Sequence, residues 1–439
     1  MKNSKSFIFL FAFILLMTSM PIITRKLKTH LVILLGRHGS RTHIANPNNK
    51  YSSYLTDVEG FPKGALTPNG YSQYFLLGKQ LVKEYPHLLS GSYNPRKHFF
   101  KSTNRERTIQ SSIALFNGIF DINRVPKLAK PLGRPSTLPP WKDIDFKSLV
   151  DEDSLEFDLD LRKLEKHPDY IEIERDLDKE YTLRAHKTPE FKKLINYHKK
   201  DIDGYFNDIL KSKTFKELHP KFDEYGNEER ISDSDYLLAT DYFVSEHHNH
   251  ANLESPFSKE FMDMVSLVNH GKHIKRYINP IVSKALCSPL MSFIRSKIRE
   301  RVYVERRQKD EEKLGFISLL SHDTVLTPLL LTFGHKNFDK VTEGIKTSKR
   351  PEGYVGKPDF ASNLIFEVLE DDISRFFIRV RYNGEYISFC NYESREDDKH
   401  TCTLEEFYKT VSNKIFEDWE GFLKSYHQAE LIEDWDDDL

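Results

Sequence analysis

Apolar residues are distributed along this chain in two ways. Short apolar runs occur at residues 31–35 (L-V-I-L-L), unbroken and closed by Gly36, and at residues 316–320 (F-I-S-L-L), interrupted only by Ser318 and closed by Ser321. Neither run alternates with polar residues, which predicts strands buried on both faces inside a helix-covered parallel sheet. Residues 98–101 form a further strand candidate. Residues 362–369 and 376–382, separated by turn-forming polar residues, predict an antiparallel pair at the sheet edge. Helical recurrence appears at Tyr74, Phe75, Leu77, Leu81, Val82 and Tyr85, behind Thr67-Pro68-Asn69-Gly70, with proline where a first turn accepts it. A second helix is expected after Thr103 and Glu106, spaced as a capping box and followed by Ile109, Ile113 and Phe116. A third covers residues 325–331, with Pro328 near its first turn. A last one carries Phe407, Val411, Ile415, Trp419 and Phe422 behind a second capping box, Thr403 and Glu406.

Between these groups the pattern changes. Pro126, Pro131, Gly133, Pro135, Pro139 and Pro140 mark a linker. Residues 143–313 are charged and helical in period, without strong strand signals, which predicts an inserted helical cap. The expected organisation is an α/β core over 30–125 and 314–427, a mainly helical cap over 126–313, and an acidic tail over 428–439. At 439 residues such a core is affordable in size. With 65 basic and 66 acidic residues the net charge is −1, which implies no nucleic-acid or membrane-surface partner. Lys2 and Lys5, an apolar run over residues 7–17, and Thr18 and Ser19 have the layout of a secretory signal peptide over residues 1–23. That run is short of the ~20 apolar residues of a spanning helix, so no stable membrane span is expected after leader removal. Of three cysteines, Cys390 and Cys402 are close enough in sequence to close a small disulfide loop, and Cys287 is expected as a buried thiol.

The candidate chemistry sits where the two apolar runs stop. Arg37-His38-Gly39-Ser40-Arg41 places two guanidiniums around an imidazole at a strand's carboxyl end, where open α/β sheets bind ligands. His322-Asp323 follows the second run in the same way. The cluster Glu246, His247, His248, Asn249 and His250 has no zinc-hydrolase spacing and is expected as a solvated loop, not a metal site.

These stretches resemble the histidine acid phosphatases of the histidine phosphatase superfamily, branch 2. Their R-H-G-x-R-x-P is read as Arg37-His38-Gly39-Ser40-Arg41-Thr42-His43, with His43 in place of proline. Their L-T-x-x-G-x-x-Q stretch is matched from Leu66 to Gln73. Their R-S-T-D-x-D-R-T is matched by K-S-T-N-R-E-R-T, with Lys101, Asn104 and Glu106 as departures, and Arg105 is a neighbour competing with Arg107. The resemblance implies a phosphoglycerate mutase-like fold with a mixed, mostly parallel sheet. It implies His38 as nucleophile and Asp323 as proton donor, with Arg37, Arg41, Arg107 and His322 binding the phosphate. Guanidinium forks match phosphate oxygens and would keep His38 neutral, and no metal or other cofactor is implied. Asp323 facing a bound phosphate is expected to show a modest net rise in pKa. The implied partner is a small phosphate ester, the location the secretory pathway, outside the cell or in a lysosomal or vacuolar lumen, and a homodimer is compatible with the chain. The alternative is an inositol-phosphate (phytase-like) phosphatase of the same superfamily, many of which carry His-Ala-Glu instead of His-Asp. A non-catalytic secreted binding protein with this fold is a further one, although all six site residues are present.

Overall fold

Strand β1 (Lys28–Arg37) is where the two helical layers of the molecule meet, in a computed structural model. The described residues are 27–44, 63–120, 194, 196, 199–224, 233–249, 258–274, 277, 279–307, 313–334, 338–352, 354, 356–390 and 400–425. The proposed leader, the proline-rich linker, much of the first half of the cap, His250 and the acidic tail lie outside them.

Residues 31–37 of β1 are all buried. Val32 and Leu34 face helices α1 (Pro68–Glu84) and α3 (Glu106–Phe120); the short α2 (Pro86–Leu89) follows α1. Leu31, Ile33 and Leu35 face the other layer, built from α8 (Pro280–Arg307), α9 (Asp323–Thr332) and α11 (Leu404–Lys414). Both sets must therefore be apolar, which is why the run does not alternate. Burying each of these side chains contributes about 1.5–3 kcal/mol.

The sheet runs β2 (His98–Ser102), β3 (Phe316–Ser321), β1, β4 (Asn363–Glu370), β5 (Phe376–Tyr382), β6 (Glu385–Ile387), with β7 (Thr401–Thr403) also on β5. Pairing is parallel from β2 through β3 to β1 and antiparallel elsewhere, so the sheet is mixed with a smaller parallel share than expected. The short links from β4 to β5 and from β5 to β6 can only return the chain antiparallel. Tyr382 pairs with Glu385 across Asn383-Gly384, whose φ angles of 50° and 86° suit a two-residue hairpin turn. β4 is no edge strand: it lies between β1 and β5.

Helix starts follow the sequence in part. Thr67 caps α1, its side chain accepting from the Gly70 amide. Thr403 and Glu406 form the expected capping box of α11. Thr103 does not cap α3; its hydroxyl lies 2.9 Å from His322 Nε2. Pro328 falls in the second turn of α9, not the first. The final helix stops at Lys414, and Trp419 and Phe422 belong to a separate helical segment, with Trp419 Nε1 donating to the Ala285 carbonyl.

Within residues 126–313, the described residues form helices α4 (Lys199–Lys211), α5 (Lys213–Glu224), α6 (Asp233–Asn249), α7 (Lys259–Ile274) and α8. Ile209, Phe215, Tyr242, Phe243, Phe261 and Val265 share one cluster, joined by Val341 and Ile345 of α10 (Phe338–Thr347). α8 packs elsewhere: Leu290, Met291, Ile294 and Ile298 join the core behind β1. Cys390 and Cys402 form a disulfide, and Cys287 is buried, its thiol pushed up to about 12 by that burial. Among the described residues no helix is long and apolar enough to cross a membrane.

Removing the α11 cap gives a clean check of this packing. Thr403→Ala should lower unfolding free energy by about 1 kcal/mol in a urea titration and leave kinetics unchanged.

Candidate active site

Register brings four segments to one edge of the sheet. Arg37 stands opposite Ser321, so His38 follows β1 where His322 follows β3, and the His38 amide donates to the Ser321 carbonyl at 2.9 Å. Ser102 of β2 stands opposite Leu320, which delivers Thr103 and then α3 to the same edge. β4 runs the other way, so its amino end arrives there with the preceding Lys357-Pro358-Asp359-Phe360. The Arg37 amide donates to Ser362 at 2.8 Å, and the Ala361 amide to His38 at 3.0 Å.

The loop after β1 is pressed against the start of α1. A Cβ on Gly39 would stand 2.2 Å from the Gly70 carbonyl oxygen, so no larger residue fits without moving backbone. The Gly39 amide donates to Ser111 Oγ at 3.0 Å and the Ser40 amide to Gln73 Oε1 at 2.8 Å. Tyr74 Oη donates to the Arg37 carbonyl.

Three guanidiniums surround this loop. Arg37 donates through Nη1 to the Pro358 carbonyl (2.7 Å) and through Nη2 to Asp323 (3.0 Å), and stacks 4.1 Å over the Phe360 ring. Arg41 donates to the Thr42 carbonyl (2.9 Å) and holds Asp241 with both terminal nitrogens, at 3.2 and 2.8 Å. Arg107, in the first turn of α3, turns inward, whereas Arg105 is exposed. Burial lowers Arg107 to about 10, with Arg41 adding to the effect. The Nε atoms of Arg37, Arg41 and Arg107 are all buried without a hydrogen-bond partner among the described residues. An unsatisfied buried donor costs about 1–3 kcal/mol, so three together fit a place built for an anion.

His38 Nδ1 lies 2.8 Å from the Gly39 carbonyl oxygen. A carbonyl only accepts, so Nδ1 carries the proton and the lone pair is on Nε2. Burial, then the charges of Arg107 and Arg37, hold His38 well below its ordinary pKa. His322 packs against it with ring centroids 5.4 Å apart, and burial followed by Arg107 lowers its pKa to about 3.

At Asp323 burial pushes the carboxyl up, but Arg37 and Lys357 together overcome this and hold it well below the usual range. Lys357 Nζ is 2.8 Å from Asp323 Oδ2.

The sequence profile of the histidine phosphatase superfamily (branch 2) matches residues 29–383. The chain belongs to that branch. Among curated relatives, bovine prostatic acid phosphatase is 28% identical over 193 residues, 42% of this chain and 46% of the relative. Rat lysosomal acid phosphatase is 35% identical over 108 residues, 24% of each. The matched region thus spans about half the length of the first of these relatives and about a quarter of the second. The multiple inositol polyphosphate phosphatase of Bifidobacterium longum matches in structure with TM-score 0.57 at 12% identity, covering 91% of this chain and 96% of that one. The Citrobacter braakii phytase matches with TM-score 0.54 at 13% identity, over 89% and 99%. These likenesses establish the fold.

In this branch 2 member the sequence-predicted residues Arg37, His38, Arg41, Arg107, His322 and Asp323 come together at one edge. Lys357, Phe360, Asp241 and Ser111 also stand at this edge, and no motif in the sequence marks them. Only their place before β4 or on helix faces could have marked them, and neither signal is specific. The cluster Glu246-His247-His248-Asn249 is not a solvated loop. It forms the last turn of α6 and docks on the site: Asn249 Nδ2 donates to the Arg41 carbonyl at 3.0 Å, and buried His248 packs edge-on against Phe360. His43, the departure from proline, packs edge-on against Tyr242 of the same helix at 4.8 Å. Among the described residues the one grouping with metal-ligand spacing, His30, Glu305 and Glu370, lies at the far end of β1. Glu305 there is already paired with Arg301 and Lys313.

Burial lowers His38, His322 and His248, the last two to about 3 and 4. Their imidazoles stay neutral when folded but protonate in the unfolded chain below its pKa of ~6.5, so stability falls as pH drops from there. Urea midpoints should fall between pH 7 and pH 5, where carboxylates are ionised in both states. A flat midpoint over that window would show that these imidazoles accept protons in the folded chain.

Proposed function

We propose that this chain is an acid phosphatase that hydrolyses phosphate monoesters through a phosphohistidine at His38, with Asp323 as proton donor. The observation that carries this reading is the set of three unpartnered, buried Nε–H donors around an imidazole whose lone pair is on Nε2. A phosphoryl group bound there meets Arg37, Arg41 and Arg107, with His322 as a further donor. The guanidiniums carry the charge that builds up on the equatorial oxygens. Nε2 of His38 forms a bond to phosphorus as the ester P–O bond breaks, and the leaving oxygen takes the proton of Asp323. Water then attacks phosphorus and gives a proton to the Asp323 carboxylate. The P–N bond breaks, and phosphate leaves with both side chains restored.

The relatives named as acid phosphatases support a general monoesterase, and a phytase-like preference is the competing outcome of a substrate panel. The positively charged start and apolar run of residues 1–23 support a leader that sends the chain into the secretory pathway, toward the outside or a lysosomal or vacuolar lumen. Relatives named lysosomal acid phosphatase fit that destination.

His38→Ala should reduce turnover of an aryl phosphate by more than about a thousandfold without lowering the melting temperature. Denaturing the wild type during turnover of a ³²P-labelled ester should trap an acid-labile, base-stable label that this variant lacks. Label on any other residue, or undiminished turnover, rules out His38 as nucleophile. Arg107→Ala should raise KM and lower kcat together, reducing kcat/KM by about 10²–10³. A larger effect from Arg105→Ala would mean that the wrong guanidinium has been assigned to the phosphate.

A further inference from the structure

We propose that Lys357 is a positioning residue that pairs with the Asp323 carboxylate in the resting site and exchanges it for a phosphate oxygen when an ester binds. The inference rests on the phosphatase reading above. Lys357 Nζ and Arg37 Nη2 both approach Oδ2 of Asp323, at 2.8 and 3.0 Å. The two cations are not equally free to move. Arg37 is tied to the Pro358 carbonyl and stacked on Phe360, whereas Lys357 is a point charge on a flexible four-carbon stem.

The surroundings of Asp323 make this pairing matter. Arg37 faces it from β1, Arg107 from α3, His273 from α7, His322 from the preceding position and Lys357 from the segment before β4. The carboxylate of Asp241 on α6 acts on Lys357 as a second attraction. With Arg37, Lys357 and Arg107 around it, the resting carboxyl gives up its proton, yet a proton donor must hold one when the P–O bond breaks. A phosphate dianion resolves the conflict. Its oxygens draw the Lys357 ammonium from Asp323, and its own charge favours the protonated carboxyl. The proton comes from solvent on binding. Lys357 therefore sets the acidity at which the free enzyme is competent, and does so without touching the leaving group.

The test is the pH dependence of kcat/KM, which reports groups of the free enzyme. Profiles are measured for an alkyl phosphate and an activated aryl phosphate in the wild type and in Lys357→Met, Lys357→Gln, Lys357→Arg and Asp323→Asn. With the alkyl ester, the descending limb of Lys357→Met should lie about one pH unit above the wild type. Lys357→Gln should match it, covering the case in which the methionine variant misfolds. Lys357→Arg should return the limb to its wild-type position. The aryl limb should stay put in all Lys357 variants, because that leaving group needs no proton, and Asp323→Asn should remove the alkyl limb. A folded methionine or glutamine variant whose alkyl limb coincides with the wild type overturns the role of Lys357. A wild type that hydrolyses neither ester overturns the phosphatase reading itself.

Discussion

Arg37, Arg41 and Arg107 are confined in buried surroundings where each is repelled by the others, and the rest of the site is arranged to make that tolerable. Two carboxylates supply the compensation, and they come from different parts of the chain: Asp323 from the start of α9, Asp241 from α6. By taking one terminal nitrogen of Arg37 and both of Arg41, they also orient the two planes. Burial, reinforced by the same field, keeps His38 and His322 neutral, since a further positive charge there would add to the repulsion. Charge, orientation and protonation state therefore stand or fall together. None of it would hold on a mobile loop. β1, apolar on both faces and covered by two layers of helices, supplies the rigid support.

Helix α6 is part of this compensation. Asp241, Ser245 and Asn249 on one helix contact Arg41 at its guanidinium or its carbonyl, and His248 of the same helix touches Phe360. A helix that only shaped an entrance could move independently of these guanidiniums. One that holds a guanidinium from behind cannot move without releasing it.

How much of this was readable from the chain depends on the range of the interactions involved. The runs at residues 31–35 and 316–320 announced doubly buried strands, and the polar motifs directly after them announced the edge where they would meet. Thr403 and Glu406 announced a helix start because a capping box is local. Thr103 and Glu106 have the same spacing, yet the Thr103 hydroxyl serves His322, more than two hundred residues away. Lys357 and Asp241 were invisible for the same reason. A lysine before a strand and an aspartate on a helix carry no signal until the fold sets them beside Asp323 and Arg41. The place of β4 beside β1 was missed because periodicity reports burial, not neighbours. The segment 246–249 was misread because His248 and Asn249 serve contacts at the site and not solvent.

The order of strands has a consequence for how this chain is made. β1 is the first element of the sheet, but its partners β3 and β4 begin at Phe316 and Asn363. β2 likewise pairs with β3 alone. During synthesis this doubly buried strand therefore emerges early and waits for nearly three hundred residues before β3, its earliest partner among the described residues, can pair with it. Contacts of such sequence separation form slowly, and an exposed apolar strand can join others of its kind meanwhile. α1 and α3, which cover one face of β1 and follow it closely, are the elements placed to shield it until β3 arrives. The arrangement that assembles the site at a single edge thus also leaves its first strand exposed to aggregation while the chain is incomplete.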